Sequence, residues 1–497
     1  MKEKYHIYGL ASGVYAVFLT FCLYHNAQGI TYPFFVAGTL FYFCYTMKKS
    51  GITCKKDNWF YAVSLMLLGC SVFLTMDERI LLISKTGIFL LFTGFLLHNF
   101  YQDEKWNFTK YLQSILEAVL NTIGSLFTPL TDFLYFLQNG KQTEVDENGA
   151  ALPRKENKVK YLLFGLIIAV PLVVVIIFAL SSADLVFRDM CSRFFRFIGL
   201  ETIIGIIVMT IAAYFISYAT VRSLLKREIR EECKECRNKE PLLAITFTSI
   251  ITIIYLLFCG IQIVYLFAGK GALPQDYSYA QYAKQGFYEL LFVCLMNLVI
   301  LLVCLSFFRE SSLLKAILSV ITLCTYVMVT SSAYRMYLYV DAYYFTFLRL
   351  MVFFFLLLIS ILMLGIFITI YKKEFPLFRY SMIIVTIFTI ILAYSHPDYL
   401  IARYNVSNLE NLASTSSEGN SYYEYGNSAY QDIYYLTRLC EDSAPVLTDP
   451  VIYEKLYAIS PEDMEEYKRI CYDKKDENNT FRHYNVSRAI FQKKVAE

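Results

Sequence analysis

Charge is scarce in this chain. Asp, Glu, Lys and Arg make up 18% of its 497 residues, against about a quarter in a soluble globular protein. The net charge is only +3 and no long basic arm is interleaved with aromatics, so no nucleic-acid partner is expected. Histidine is scarce as well. His6, His25, His98, His396 and His483 are scattered, without HExxH or paired spacing, and no metal site follows from them. Cys233 and Cys236 make half of a zinc-type pair and lack the other half. No small-x-small cleavage site follows the first apolar run, which is therefore read as a membrane helix and not as a signal peptide. No internal repeat supports an inverted-repeat transporter. No motif indicates a reaction, so no catalytic residue and no cofactor are assigned, and a non-enzymatic protein is expected.

What the chain has in plenty is apolar runs. Hydrophobic residues reach 57%, gathered in runs of about 18 to 28 residues, the length that crosses about 30 Å of hydrocarbon. Candidate spans lie at about 5–25, 30–47, 59–76, 80–100, 160–180, 199–221, 242–268, 286–308, 313–334, 343–371 and 377–395, or about eleven in all. Lys2, Lys4, Lys48, Lys49, Lys55, Lys56, Lys141, Arg154, Lys155, Lys158, Arg222, Lys226, Arg227, Arg230, Lys234, Arg237, Lys239, Lys372 and Lys373 all fall on one side of this alternation. Positive loops mark the cytoplasm. The N-terminus is thus expected inside and the C-terminus outside the membrane. The outer loop 181–198 carries Arg188, Arg193 and Arg196 and reads as a short surface amphipathic segment.

Segment 111–137 is apolar, but Glu117, Asn121, Pro129 and Asp132 interrupt it, so a cytoplasmic helix lying along the interface is expected rather than a further span. From His396 onward no membrane-length run occurs and acids outnumber bases. The expected fold is an all-α integral membrane helical bundle with a small, mainly helical extracytoplasmic C-terminal domain. Its parts are a four-helix segment (1–100), an amphipathic helix and polar linker (101–159), a core bundle (160–395) and the outer domain (396–497). In that domain Tyr430–Leu439 has helical periodicity, and Ser460-Pro461-Glu462-Asp463 reads as a helix start. Cys440 and Cys471 are its only cysteines and are a candidate disulfide.

A charge inside hydrocarbon costs several kcal/mol unless it is paired or wetted, so the few such charges are informative. Tyr282, Gly286 and Glu289 lie four and three apart on one helix face, with Gln281 beside them and Asn297 close to it. Arg335 in the next span, which ends at Asp341, and Arg349 in the one after reach a similar depth; Asp184 lies just past an earlier span. Two readings stand: an ion-pair network locking helices together, or an outward-facing polar pocket whose arginines suit an anionic group. The partners expected are the lipid bilayer, an anionic small molecule or lipid headgroup, and an envelope protein.

Several segments resemble a family of bacterial multi-pass membrane proteins, the domain-of-unknown-function 4153/4173 group. They are Ser182-Ala-Asp184 with Phe187, Tyr279–Leu290 (YAQYAKQGFYEL), Ser332–Tyr339 with Leu348-Arg349-Leu350, Arg403-Tyr-Asn405, Asp432–Leu436 with Glu441-Asp-Ser-Ala-Pro445, and Phe481–Arg488 (FRHYNVSR). The family brings no established activity. The resemblance implies a fold, and that the polar outer segments and the tail form one unit. Function then divides three ways: an envelope sensor or assembly protein, a secondary transporter for a small or anionic solute, or a lipid-dependent transferase. The transporter would need a polar path past the bilayer centre. The transferase would need an acid in the first outer loop, where HNAQGITYP (25–33) has none.

Overall fold

The computed structural model describes residues 4–55, 57–103, 106–139, 179–198, 200–227, 239–264, 286–415, 433–475 and 480–496, with isolated positions at 169, 172, 173, 176 and 229. The described residues are helical throughout and include no strand. In chain order the helices of ten or more residues are α1 (Tyr5–Leu23), α2 (Thr31–Lys49), α3 (Asn58–Val72), α4 (Glu78–Phe100), α5 (Phe108–Gly124), α6 (Thr128–Asn139), α7 (Leu185–Ile198), α8 (Leu200–Lys226), α9 (Pro241–Gln262), α10 (Phe287–Phe307), α11 (Ser312–Tyr343), α12 (Phe347–Tyr371), α13 (Leu377–Tyr394), α14 (Pro397–Thr415), α15 (Pro450–Ile459), α16 (Pro461–Lys475) and α17 (Val486–Ala496).

Eight of these, α1, α4 and α8–α13, are long and apolar enough to cross a membrane, and α3 is a shorter apolar helix. Their outward faces carry large apolar side chains, such as Ile253, Ile254 and Leu257 on α9, which only a hydrocarbon solvent accommodates in such number. The protein is a multi-pass membrane protein. The expected span at 160–180 and the linker 140–159 lie almost wholly outside the described residues. Segment 111–137 is not one helix. It breaks at 125–127 into α5 and α6, each with an exposed apolar stripe that includes Leu112, Leu116 and Leu120 on α5 and Leu130 and Leu134 on α6.

The chain forms two compact units. The first comprises Met1–His25, Gly38–Gly51 and Val119–Glu228. In it α1 packs along α8, with α6 against both. Hydroxyl pairs fasten the contacts: Ser12 to Tyr42 at 2.8 Å, Tyr15 to Thr39 at 2.8 Å and Tyr5 to Tyr214 at 2.6 Å. Asp132, which the sequence shows only as an interruption, is buried and accepts from Tyr218 at 3.0 Å, with the Arg222 Nε 3.4 Å away.

The second unit comprises Asn26–Ala37, Ile52–Ala118 and Ile229–Glu497. In it α9, α10 and α12 pack against α11, and α13 packs against α12, α3 and α4. Asn297 and Leu301 of α10, Ile321 and Thr325 of α11 and Ile359 of α12 are buried between them. The residues after α13 form their own core, with Ala402, Ile433, Leu436, Leu447, Leu456, Met464 and Phe491 buried together. Ile433 and Leu436 occupy the core face that the periodicity predicts, and among the described residues the helix there covers 433–436. Ser460 stands just before α16, as its sequence suggests, and its hydroxyl reaches the Asp463 carboxylate at 2.7 Å. The expected disulfide is not formed: Cys440 and Cys471 are both free thiols.

Candidate functional site

The charged residues singled out from the sequence do not gather into one ion-pair network among the described residues. Arg335 is 7% exposed in α11, and its Nη2 donates to Gln262 Oε1 at 3.1 Å, where Ser331 also donates at 2.7 Å. Gly286 makes room for it. That glycine has a φ of 95°, and a Cβ there would lie 2.8 Å from Arg335 Nη1. Any side chain would both strain the left-handed backbone and strike the guanidinium.

Arg349 finds carbonyls instead of a carboxylate. Its Nη1 donates to the backbone oxygens of Tyr343 and Tyr344, and its guanidinium lies 4.2 Å over the Tyr339 ring. It thus caps the C-terminal end of α11, where free carbonyls and the helix dipole favour a cation. Glu289 is exposed, and no ion pair joins it to either arginine among the described residues. Asp184 is exposed in the first unit and caps α7 through the amides of Val186 and Phe187. Asp341 is exposed in the last turn of α11. Tyr282 and Gln281 lie outside the described residues.

A different cluster in the second unit is denser. Asp442 is 5% exposed and accepts four hydrogen bonds, two on each carboxylate oxygen. Oδ2 takes Thr75 Oγ1 at 2.5 Å and His396 Nδ1 at 3.0 Å; Oδ1 takes the Met76 amide at 3.0 Å and the Ser487 hydroxyl. Beside it, Arg79 Nη2 bridges Asp77 Oδ2 and Asp398 Oδ1, each at 2.7 Å, while its Nε holds Asp77 Oδ1 at 2.8 Å. The guanidinium is stacked 3.7 Å over the Phe347 ring, and Asp398 Oδ2 accepts the Cys440 amide at 2.9 Å. Asn485 ties the same region to the carbonyls of Gln28 and Thr75, and the Val486 amide donates to Phe73.

Local sequence explains each placement. Asp77 is the N-cap of α4, bonding the Arg79 amide at 2.9 Å, and the same short loop turns Thr75 and Met76 toward the tail. Asp398 falls in the first turn of α14, where the helix dipole favours an acid. His396 sits between α13 and α14 at a φ of 45°, a left-handed corner that ends one helix and starts the next. Asn485 and Ser487 open α17. Loops 26–30 and 73–79, the corner after α13, and the tail therefore meet at one end of the second unit.

Burial would by itself raise the Asp442 carboxyl. The hydrogen bonds from His396, Ser487, Thr75 and the Met76 amide outweigh it and hold the group below the usual carboxylate range. His396 is moved upward by its bond to Asp442, against the opposite pull of burial. Burial, followed by the charges of Asp442 and Asp398, drives the Cys440 thiol far above its ordinary value. Asp77, Asp398 and Cys440 have ligand atoms within 4.8 Å of one another. A metal would have to take the place of the Arg79 guanidinium and deprotonate a thiol that its neighbours keep protonated, so these residues do not fit one. Nor is Asp442 free for acid–base work, because all its acceptor positions are filled by the protein. The arrangement is chemically a clasp.

Asp77 and Arg79 lie in a short polar loop that no sequence motif marks, and His396 stands out in the sequence only as the point where the membrane-length runs end. The readable signal lay in the tail segments Glu441–Pro445 and Phe481–Arg488, which supply Asp442, Asn485 and Ser487, and in Arg403-Tyr-Asn405, whose Asn405 pairs with both backbone groups of Phe345. A family model described as a domain of unknown function (DUF4153) matches residues 62–449. No curated protein and no solved structure matches the chain.

Proposed function

Because the chain belongs to the domain-of-unknown-function family DUF4153, whose description names no activity, we propose its role from geometry: an envelope membrane protein, a sensor or assembly partner, whose tail works while clasped to its membrane helices. One observation carries this reading. Asp442 binds donors from the loop after α3, the corner after α13 and the start of α17 at once. Carboxylates so filled fix a surface and do not turn over a substrate. The orientation proposed is N-terminus in the cytoplasm of a bacterial cell and tail outside. Two facts support it. The basic connections alternate to one side, and the opposite loops, 26–30 and 73–79, are the ones bonded to the tail.

A second reading, a pocket or path for an anionic solute, draws on the buried Arg335–Gln262–Ser331 group. Deeper in the same helices, Tyr255, Asn297 and Thr325 form a chain at 2.6 and 2.9 Å. Those neutral groups satisfy one another, which favours helix fastening over passage.

The orientation is tested with a membrane-impermeant maleimide on intact cells. Cysteine at the exposed position Glu462 is expected to label without permeabilisation, and cysteine at the exposed position Lys373 only after it, each above the background of the parent protein. Labelling in the reverse order would end the envelope reading.

A further inference from the structure

At one end of the first unit the start of α1, the end of α2 and the last turns of α8 enclose a recess of about 570 Å³ lined by Lys4, Tyr8, Lys48, Lys49, Ser50 and Arg222. Lys48 and Lys49 are exposed. Among the described residues no carboxylate lies within ion-pair distance of Lys4, Lys48 or Lys49. Only Arg222 has an acidic neighbour, Asp132. The Tyr8 and Ser50 hydroxyls meet at 2.8 Å within the recess.

We propose that this recess is a binding site for a phosphate-bearing anion, with Lys4, Lys48 and Lys49 supplying both the charge and the donors. Lys4, Lys48 and Lys49 line one recess, and no carboxylate among the described residues pairs with them, so the repulsion of their like charges is not offset there. A doubly charged phosphate group between them removes that repulsion and accepts several charge-assisted hydrogen bonds. The recess lies at the ends of α1 and α8, helices of membrane-spanning length, the level where phospholipid headgroups are found. The same chemistry also suits a free phosphate or pyrophosphate, and the experiment separates the two sources.

Full-length protein is purified into phosphatidylcholine nanodiscs, then into discs containing phosphatidylglycerol, and separately titrated with inorganic phosphate and pyrophosphate. Thermal stability and lipids retained in native mass spectrometry are read. Each lysine beside an anionic surface contributes about fivefold in binding. The double variant Lys48→Gln, Lys49→Gln is therefore expected to lose about 25-fold in phosphatidylglycerol retention, with unchanged stability in phosphatidylcholine. Lys4→Gln alone should lose about fivefold, which keeps the test open if the double variant is unstable. Lys372→Gln, Lys373→Gln, a lysine pair at the end of α12, is the control and should lose nothing. Pyrophosphate binding that depends on the same lysines, without a phosphatidylglycerol effect, would assign the site to a soluble phosphate. Equal binding by wild type and the Lys4 and Lys48/Lys49 variants, or an equal loss in the control, would overturn the proposal.

Discussion

Asp442→Asn is the most informative single change. The asparagine is nearly the same size and keeps one acceptor oxygen, but its amide nitrogen can accept nothing. Of the four donors now converging on the carboxylate, two lose their acceptor: either Thr75 and His396, or the Met76 amide and Ser487. A buried donor left dry costs about 1–3 kcal/mol, so about 4 kcal/mol is the central expectation for the pair. At 1.36 kcal/mol per factor of ten, that is roughly a thousandfold. The assay is hydrogen exchange in detergent micelles. The reporters are the Val486 amide, which donates to Phe73, and the Cys440 amide, which donates to Asp398. The first bond joins α17 to the loop after α3, the second joins the turn at 440 to the first turn of α14, and both break if the clasp opens. Amides within α12 serve as the internal reference. Protection at 440 and 486 should fall by roughly two to three orders of magnitude, with α12 little changed. Protection within about threefold of wild type would show that the tail is held by its apolar core alone, and the clasp reasoning would fail.

Two further outcomes follow from the same geometry. The raised His396 value means that the charged pair with Asp442 stabilises the tail fully below the ordinary histidine value of about 6.5 and is lost as pH rises through the higher folded value. The lowered Asp442 value gives the opposite limb, with stability lost as pH falls below about 4; thermal unfolding from pH 4 to 9 should show the alkaline decline in wild type and not in His396→Asn, and equal slopes would refute it. In the membrane bundle, Gln262→Leu removes an acceptor shared by Arg335 and Ser331 and should cost about 2–5 kcal/mol, whereas Glu289→Gln should stay within about 0.5 kcal/mol; the reverse order in unfolding measurements would restore Glu289 to the centre of the site.

The membrane helices were legible because hydrocarbon thickness imposes a length on apolar runs, whereas segment 111–137 read as one interfacial helix and is two, α5 and α6. The fate of Glu289 was not legible. Equal depth gives one coordinate of a side chain, and helix rotation gives the other. Leu290, Cys294, Asn297, Leu301 and Cys304 form the buried face of α10, at spacings of four and three. Glu289 precedes Leu290 by one residue, a turn of about 100°, which carries it to the exposed side. Arg349 was misjudged for another reason. Helix-end carbonyls can satisfy a guanidinium as well as a carboxylate does, and no spacing rule announces them. The clasp was illegible as a whole. Asp77, Asp398 and Asp442 each read as ordinary loop or helix-start acids, and only the fold makes them neighbours.

The bonds from Asn26 to the Arg482 carbonyl and from Asn485 to Gln28 span 456 and 457 positions. During synthesis the hairpin tips between the earliest helices therefore remain hydrated until the final segment has been translated and delivered to them. Assembly of the second unit cannot close progressively behind the ribosome, and a chain cut short before residue 480 would leave those tips permanently open.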